Sequence, residues 1–223
     1  MAQRVGRLTV AGGKADLVVC VACGLGFALL AALVGTGMTA RLDEAAFVLS
    51  SSARAPWLTH VLLLATNALG PLAMVAVAVV ATLALARGHV LLNLVTVGGA
   101  CALNVVLKAA FCRPRPEAFA LVAEKGFSFP SGHAMVCTAV LALLWLELRP
   151  RLGERGGRAL AAVCACLVAL VCVSRVYLGA HYPSDVVAGV LAALAWVALM
   201  HRLASRAGGV AQHAWCRRTA DAR

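Results

Sequence analysis

The sequence predicts an all-α polytopic membrane protein with six transmembrane helices, and three observations carry that prediction. Of 223 residues, 62% are hydrophobic before the 20 glycines are counted, and only 13% are charged. A soluble domain has about 45–50% apolar residues with glycine included and about 25% charged. Aromatics make up only 5%, so Leu, Ala and Val supply the excess, and the mean hydropathy is +0.90. This excludes a soluble globular core, a disordered chain and a collagen-like chain. The apolar residues also gather in runs of about 20, the length a helix needs to cross a bilayer.

The first run is Leu17 to Val34 or slightly beyond. Arg4, Arg7 and Lys14 precede it as in a signal peptide, but the run is long and others follow, so it is read as an anchor. The second, Trp57 to Ala86, exceeds the need and implies tilt. The others are Val90 to Cys112, Ser131 to Leu148, Ala159 to Leu178 and Ser184 to Leu203. Arg87-Gly88-His89 reads as a tight turn, and residues 149–158 as a polar loop with Pro and Gly breakers. Residues 39–56 include a short interfacial helix around Asp43, Glu44 and Phe47. Residues 112–130 form a longer loop containing Pro114, Pro116 and Pro130.

Charge sets the orientation. The N-terminus, the turn at 87–89, the loop at 149–158 and the C-terminal tail carry thirteen of the 20 Lys and Arg residues. The other side carries seven: Arg41, Arg54, Lys108, Arg113, Arg115, Lys125 and Arg175. The richer side is cytoplasmic by the positive-inside rule, which places both termini inside. Residues 1–16 then form a cytoplasmic segment, 17–203 the six-span domain and 204–223 a basic cytoplasmic tail suited to anionic lipid. The net charge of +11 follows this topology, so nucleic acid is not an expected partner.

Most of the nine cysteines lie inside apolar runs, where Cys acts as a small hydrophobe; only Cys112 and Cys216 lie outside. There is no CxxC metal pattern, since Cys20 and Cys23 lie inside an apolar run, and no carboxylate-rich cluster suggests a metal. Asn67, Asn93, Asn104 and His60 are expected to bond across helices. Gly98-Gly99 and Gly35-x-Gly37 mark close packing or span ends.

The less basic side collects polar residues at helix ends. Lys108 precedes Arg115-Pro116 in NVVLKAAFCRPRP. Pro130-Ser131-Gly132-His133 opens the fourth span. Ser174-Arg175 leads to His181 and Asp185 in SRVYLGAHYPSD. Topology alone brings these stretches to one face. There Lys108, Arg115 and Arg175 supply the cationic clamp that a phosphoryl group in transfer requires. Ser131 is a natural N-cap, and Gly132 lets backbone N–H groups approach an anion at the helix start. Arg113 and Lys125 flank the site, as headgroup-steering or solvated charges.

These residues carry a resemblance. The pattern K-x6-R-P, P-S-G-H, S-R-x5-H-x3-D is similar to that of the PAP2 superfamily, the type 2 phosphatidic acid phosphatases, and it matches at every position and in order. The resemblance covers about residues 15–205 and implies a PAP2-type helical bundle. It implies His181 as the nucleophile that takes the phosphoryl group, Asp185 as its orienter and His133 as the general acid. Lys108, Arg115, Ser131, Gly132 and Arg175 would bind phosphate. It implies no metal and no cofactor. The substrate would be a phosphorylated membrane lipid: phosphatidate, phosphatidylglycerophosphate or a polyprenyl diphosphate. A compact chain rich in Ala, Arg, Gly and Val suggests a bacterial cell membrane with the site on its outer face. A lipid phosphotransferase using the same histidine is an alternative, and a six-span transporter or scaffold is the non-enzymatic one. The haloperoxidases that share such a pocket are soluble, and transport would need ionisable residues through the midplane.

Overall fold

The computed structural model describes residues 13–85, 89–116 and 120–221, with side chains up to Arg206. Arg4, Arg7, the Arg87-Gly88 part of the turn and the Cys216 side chain lie outside the described residues. Seven helices follow along the chain: α1 (Lys14–Gly35), α2 (Ala40–Ser52), α3 (Pro56–Ala68), α4 (Pro71–Leu85), α5 (Val90–Phe111), α6 (Gly132–Tyr177) and α7 (Pro183–Asp221). Among these, α1, α5, α6 and Pro183–Arg206 of α7 are long and apolar enough to cross a membrane. Large side chains point outward, with Leu72 86% and Leu91 76% exposed. Such a surface is stable only against hydrocarbon, and helices satisfy their own backbone there. The molecule is an all-helical membrane protein.

The second predicted span is not one helix. It breaks into α3 and α4, which meet at 45° and are long and apolar enough for a crossing only together. Pro71 brings no N–H to continue the ladder, and the Gly70 N–H turns back to the Asn67 carbonyl at 3.3 Å. Both ends of α3 are tied to the last turn of α6. Ala55 N–H donates to Tyr177 Oη at 2.9 Å, and Thr66 Oγ1 accepts from Arg175 at 3.1 Å.

The predicted polar loop at 149–158 also differs. In a straight helix Trp145 and Gly157 would stand about 18 Å apart at 1.5 Å per residue. Instead Trp145 Nε1 donates to the Gly157 carbonyl at 2.9 Å. Val136, Cys137, Val140 and Leu141 of the first arm share a core with Cys164 and Val171 of the second. The chain therefore doubles back inside α6. It does so at Gly153, whose φ of 67° and ψ of −176° suit essentially only glycine. One residue makes the reversal, and both arms stay helical up to it.

α1 packs along α7, and α7 along α6. A Cβ on Gly99 would lie 2.3 Å from the Trp196 ring, so close packing holds at Gly99, whereas Gly98 faces open space. Asn93 bonds across to Glu147 at 3.1 Å as expected. Asn67 is exposed, and His60 bonds only within α3, to the Pro56 carbonyl, because both side chains lie on its outer face. The expected interfacial helix is α2, which buries Asp43 and Phe47 and exposes Leu42 and Leu49.

Candidate active site

The end of α5, both ends of α6 and the start of α7 meet at one end of the bundle, around residues 112–116 and 120–131. Local backbone rules set the spacing of the polar residues. α6 closes with Gly179 at φ 72°, and the N–H groups of Ala180 and His181 both donate to the Arg175 carbonyl. This cap holds His181 beside the helix end, six positions after Arg175. Tyr182 then caps α7, with Pro183 at its first position. Asp185, at the third position, reaches back to accept the Tyr182 N–H at 2.9 Å, as in a capping box. The same Oδ2 lies 3.5 Å from His181 Nδ1.

The imidazole tautomer follows from its neighbours. Arg115 Nη1 lies 3.3 Å from His181 Nε2, and a guanidinium can only donate, so Nε2 carries the lone pair. Nδ1–H then faces Ser128 Oγ at 3.4 Å and the Asp185 carboxylate. Ser128 Oγ donates to Asp185 Oδ2, and its oxygen is free to accept. Burial pushes the His181 pKa down to about 4, with Arg115 and Arg175 helping and Asp185 opposing. At neutral pH the ring is uncharged with its lone pair toward the cations.

Those cations are held by different partners. Lys108, in the last turn of α5, donates to the Phe127 carbonyl at 2.5 Å. Arg115 donates to the Gly126, Lys125 and Ala180 carbonyls. Arg175 is buried, and it pairs with Glu124 and donates to Thr66 Oγ1. Its Nε has no hydrogen-bond partner among the described residues. Burial alone would raise the Glu124 pKa, but Arg175 outweighs it and holds the carboxyl below its usual range.

Ser131 caps α6, its Oγ accepting the Ala134 N–H at 3.5 Å, while its own N–H donates to the Asp185 carbonyl. Gly132 is small for a further reason: a Cβ there would lie 2.9 Å from Asn104 Oδ1. Asn104 also donates to the Pro130 carbonyl at 3.2 Å and to Met135 Sδ of α6 at 3.6 Å, so it bonds across helices. His133 is half-buried beside the α3–α4 break, where a Cβ on Gly70 would come within 3.5 Å of its Nε2. It lies within electrostatic reach of Arg175, Glu124, His181 and Arg115. All eight residues singled out in the sequence thus share one end. Among the described residues, no three His, Cys, Asp or Glu side chains converge as a metal site would require.

The PAP2 superfamily model matches residues 89–208, which span the whole of this cluster. The chain belongs to the PAP2 superfamily. It is 34% identical over 173 residues to phosphatidylglycerophosphatase B of Bacillus subtilis, covering 73% of this chain and 83% of that protein. A shorter stretch of 91 residues is 37% identical to glucose-6-phosphatase catalytic subunit 1 of Mus musculus, covering 37% of this chain and 26% of that one. The crystal structure of a transmembrane PAP2-type phosphatidylglycerolphosphate phosphatase from Bacillus subtilis superposes with a TM-score of 0.73 at 31% identity, covering 85% of this chain and 97% of that chain. Aquifex aeolicus LpxE shares the fold, with a TM-score of 0.61 at 21% identity over 71% of this chain and 94% of its own. The protein is a PAP2-type lipid phosphatase of the membrane.

Four residues of this PAP2 site stand outside the motifs: Asp43, Arg113, Ser128 and Glu124. Arg113 is not a solvated flanking charge. It bridges Asp43 at 2.8 Å and Asp185 at 2.6 Å and stacks over Tyr182. Asp43 was legible in part, since it lies one helical turn before Phe47 on the face that α2 buries. Ser128 and Glu124 lie in an irregular loop, where no periodicity marks them.

Proposed function

We propose that this protein hydrolyses the phosphate ester of a membrane lipid through a phosphohistidine on His181. The observation that carries the reading is the orientation of its ring: Nε2 has a lone pair toward Arg115, and Nδ1–H is held by Ser128 and Asp185. Nε2 attacks phosphorus, the P–O bond to the lipid breaks, and His133 gives its proton to the departing oxygen. His133 then takes a proton from water, the water oxygen attacks phosphorus, and the N–P bond breaks to release phosphate. Lys108, Arg115 and Arg175 balance the charge on the phosphoryl oxygens, with the Arg175 Nε donor unused until then. Ser131 and Gly132 complete the cradle at the start of α6.

The substrate class is a lipid monophosphate or diphosphate whose tail stays in the bilayer. Phosphatidylglycerophosphate comes first among these, because it is in the names of the Bacillus subtilis sequence relative and the Bacillus subtilis structure, both above 30% identity. Six crossings fit the helices: α1, the bent pair α3–α4, α5, the two arms of α6, and α7. Both termini then face the cytoplasm of a bacterial cell, and the site faces outward.

The test is phosphate release by detergent-purified protein in EDTA from phosphatidate, phosphatidylglycerophosphate and a polyprenyl diphosphate. His181→Ala is expected to lower kcat by about 10³-fold or more on whichever lipid is preferred, with the protein still monodisperse. Normal turnover by that variant would overturn the nucleophile assignment.

A further inference from the structure

The Asp43–Arg113 pair lies outside the motifs and touches neither His181 nor the cations of the clamp. Arg113 Nη1 donates to Asp185 Oδ1 and to Ser184 Oγ, while Nη2 donates to Asp43 Oδ2. Asp43 is 2% exposed although it belongs to the interfacial helix α2. Its Oδ1 accepts the Ser184 N–H at 3.0 Å, and its Oδ2 also accepts the Ser184 hydroxyl at 2.6 Å. Asp43 therefore caps the first turn of α7 from a distant segment and anchors one prong of the Arg113 fork. The other prong is left for Asp185.

Asp185 needs such a partner. It is fully buried, and its neighbour His181 is uncharged in the resting state, so the counter-charge must come from elsewhere. Arg113 supplies it on Oδ1, which keeps Oδ2 turned toward Ser128, the Tyr182 N–H and His181 Nδ1. An arginine shared with a second carboxylate neutralises Asp185 only in part, so Asp185 remains a strong acceptor for the Nδ1 proton.

We propose that Arg113 and Asp43 are positioning residues that hold Asp185 against the nucleophile and tie its acceptor strength to the seating of α2 at the membrane interface. The proposal rests on the reading of His181 and Asp185 given above. It assigns α2 a part in turnover, which its motif-free sequence does not suggest.

The groups facing His181 are Arg115 and Ser128 from the loop, Arg175 and His133 from α6, and Asp185 from α7, with Lys108 and Glu124 acting on Arg115 and Arg175 behind them. Against that background the two residues act with opposite signs. Asp43→Asn removes a negative charge and commits Arg113 to Asp185, so His181 becomes harder to protonate. Arg113→Gln frees the Asp185 charge, so His181 becomes easier to protonate.

The experiment is a pH series of kcat and kcat/KM on the preferred lipid phosphate. It uses the full chain in detergent with Asp43→Asn, Asp43→Glu, Arg113→Gln, Arg113→Lys and the His181→Ala reference. The acid limb should move down in Asp43→Asn and up in Arg113→Gln, each by at least half a pH unit. In both variants kcat should fall tenfold or more while KM stays within threefold, and Asp43→Glu and Arg113→Lys should recover part of kcat. An acid limb that moves in neither variant, or in the same direction in both, overturns the proposal. So does a rise in KM at unchanged kcat, which would make Arg113 a headgroup ligand. A wild-type rate retained by His181→Ala would overturn the underlying mechanism instead. If the neutral variants fail to fold, the charge-conserving pair must still lower kcat and shift the limb, and wild-type behaviour in both would refute the proposal.

Discussion

The two ends of the helical bundle hold polar residues in different ways. At the site end, Asp43, Asp185 and Arg175 are buried, and Asp43, Asp185, Arg113, Arg115 and Arg175 are each tied to several partners. Asp185 is fully buried and accepts from Arg113, Ser128 and the Tyr182 backbone. At the opposite end, around Gly153, Arg151, Arg155 and Arg158 are exposed. Arg149 stacks over Trp145, and Arg151 donates to the Leu85 carbonyl. The first arrangement stores charge for chemistry, and removing one partner strands another in a low-dielectric setting. The second holds a chain reversal with exposed charges, where water screens each loss.

The largest expected effect of breaking this contrast, after loss of the nucleophile, is at Arg175. Arg175→Ala should lower kcat/KM by about 10²–10³-fold, since it removes a donor to the phosphoryl oxygens. It also leaves Glu124 unpaired, so the Glu124 carboxyl pKa should rise. Steady-state kinetics of Arg175→Ala and the double variant with Glu124→Gln check this. Recovery to the wild-type rate in the double variant would mean that Arg175 serves only to hold the loop.

The next effect is one of pH. The folded-state pKa of His181 is depressed from an ordinary 6.5 to about 4, so the nucleophile stays unprotonated until pH falls through about 4. Corrected for ionisation of the substrate phosphate, kcat/KM at pH 5 should remain close to its value at pH 7. A solvated histidine would lose about 25-fold over that interval. A drop of that size would show that the ring is not desolvated.

The smallest effect belongs to the opposite end. Gly153→Ala forces a side chain into a backbone region it disfavours and should cost about 1–3 kcal/mol of stability, read as a lower Tm in detergent. The kcat of the folded fraction should be unchanged. A tenfold fall in kcat there would mean that the two ends are coupled.

The motif residues were legible because helix-end geometry requires their spacings. The six-residue step from Arg175 to His181 is a helix cap, and the four-residue step to Asp185 is a capping box across Pro183. Apolar run length identified helices long and apolar enough to cross a membrane for the same kind of local reason. The α3–α4 break was not legible, because Gly70-Pro71 inside a uniformly apolar run looks like a tolerated kink.

The sequence by itself determined a helical membrane protein with the PAP2 motif residues gathered at one end. Apolar run lengths, motif spacing and the sign of each charge are local properties. Only the tertiary structure decided which cation meets which carboxylate. It assigned Arg175 to Glu124 and Arg113 to Asp43 and Asp185, pairings separated by up to 72 residues along the chain. No local rule selects such partners, because several arginines and carboxylates lie within reach of one another. Burial does, since each charge withdrawn from water must end beside an opposite one.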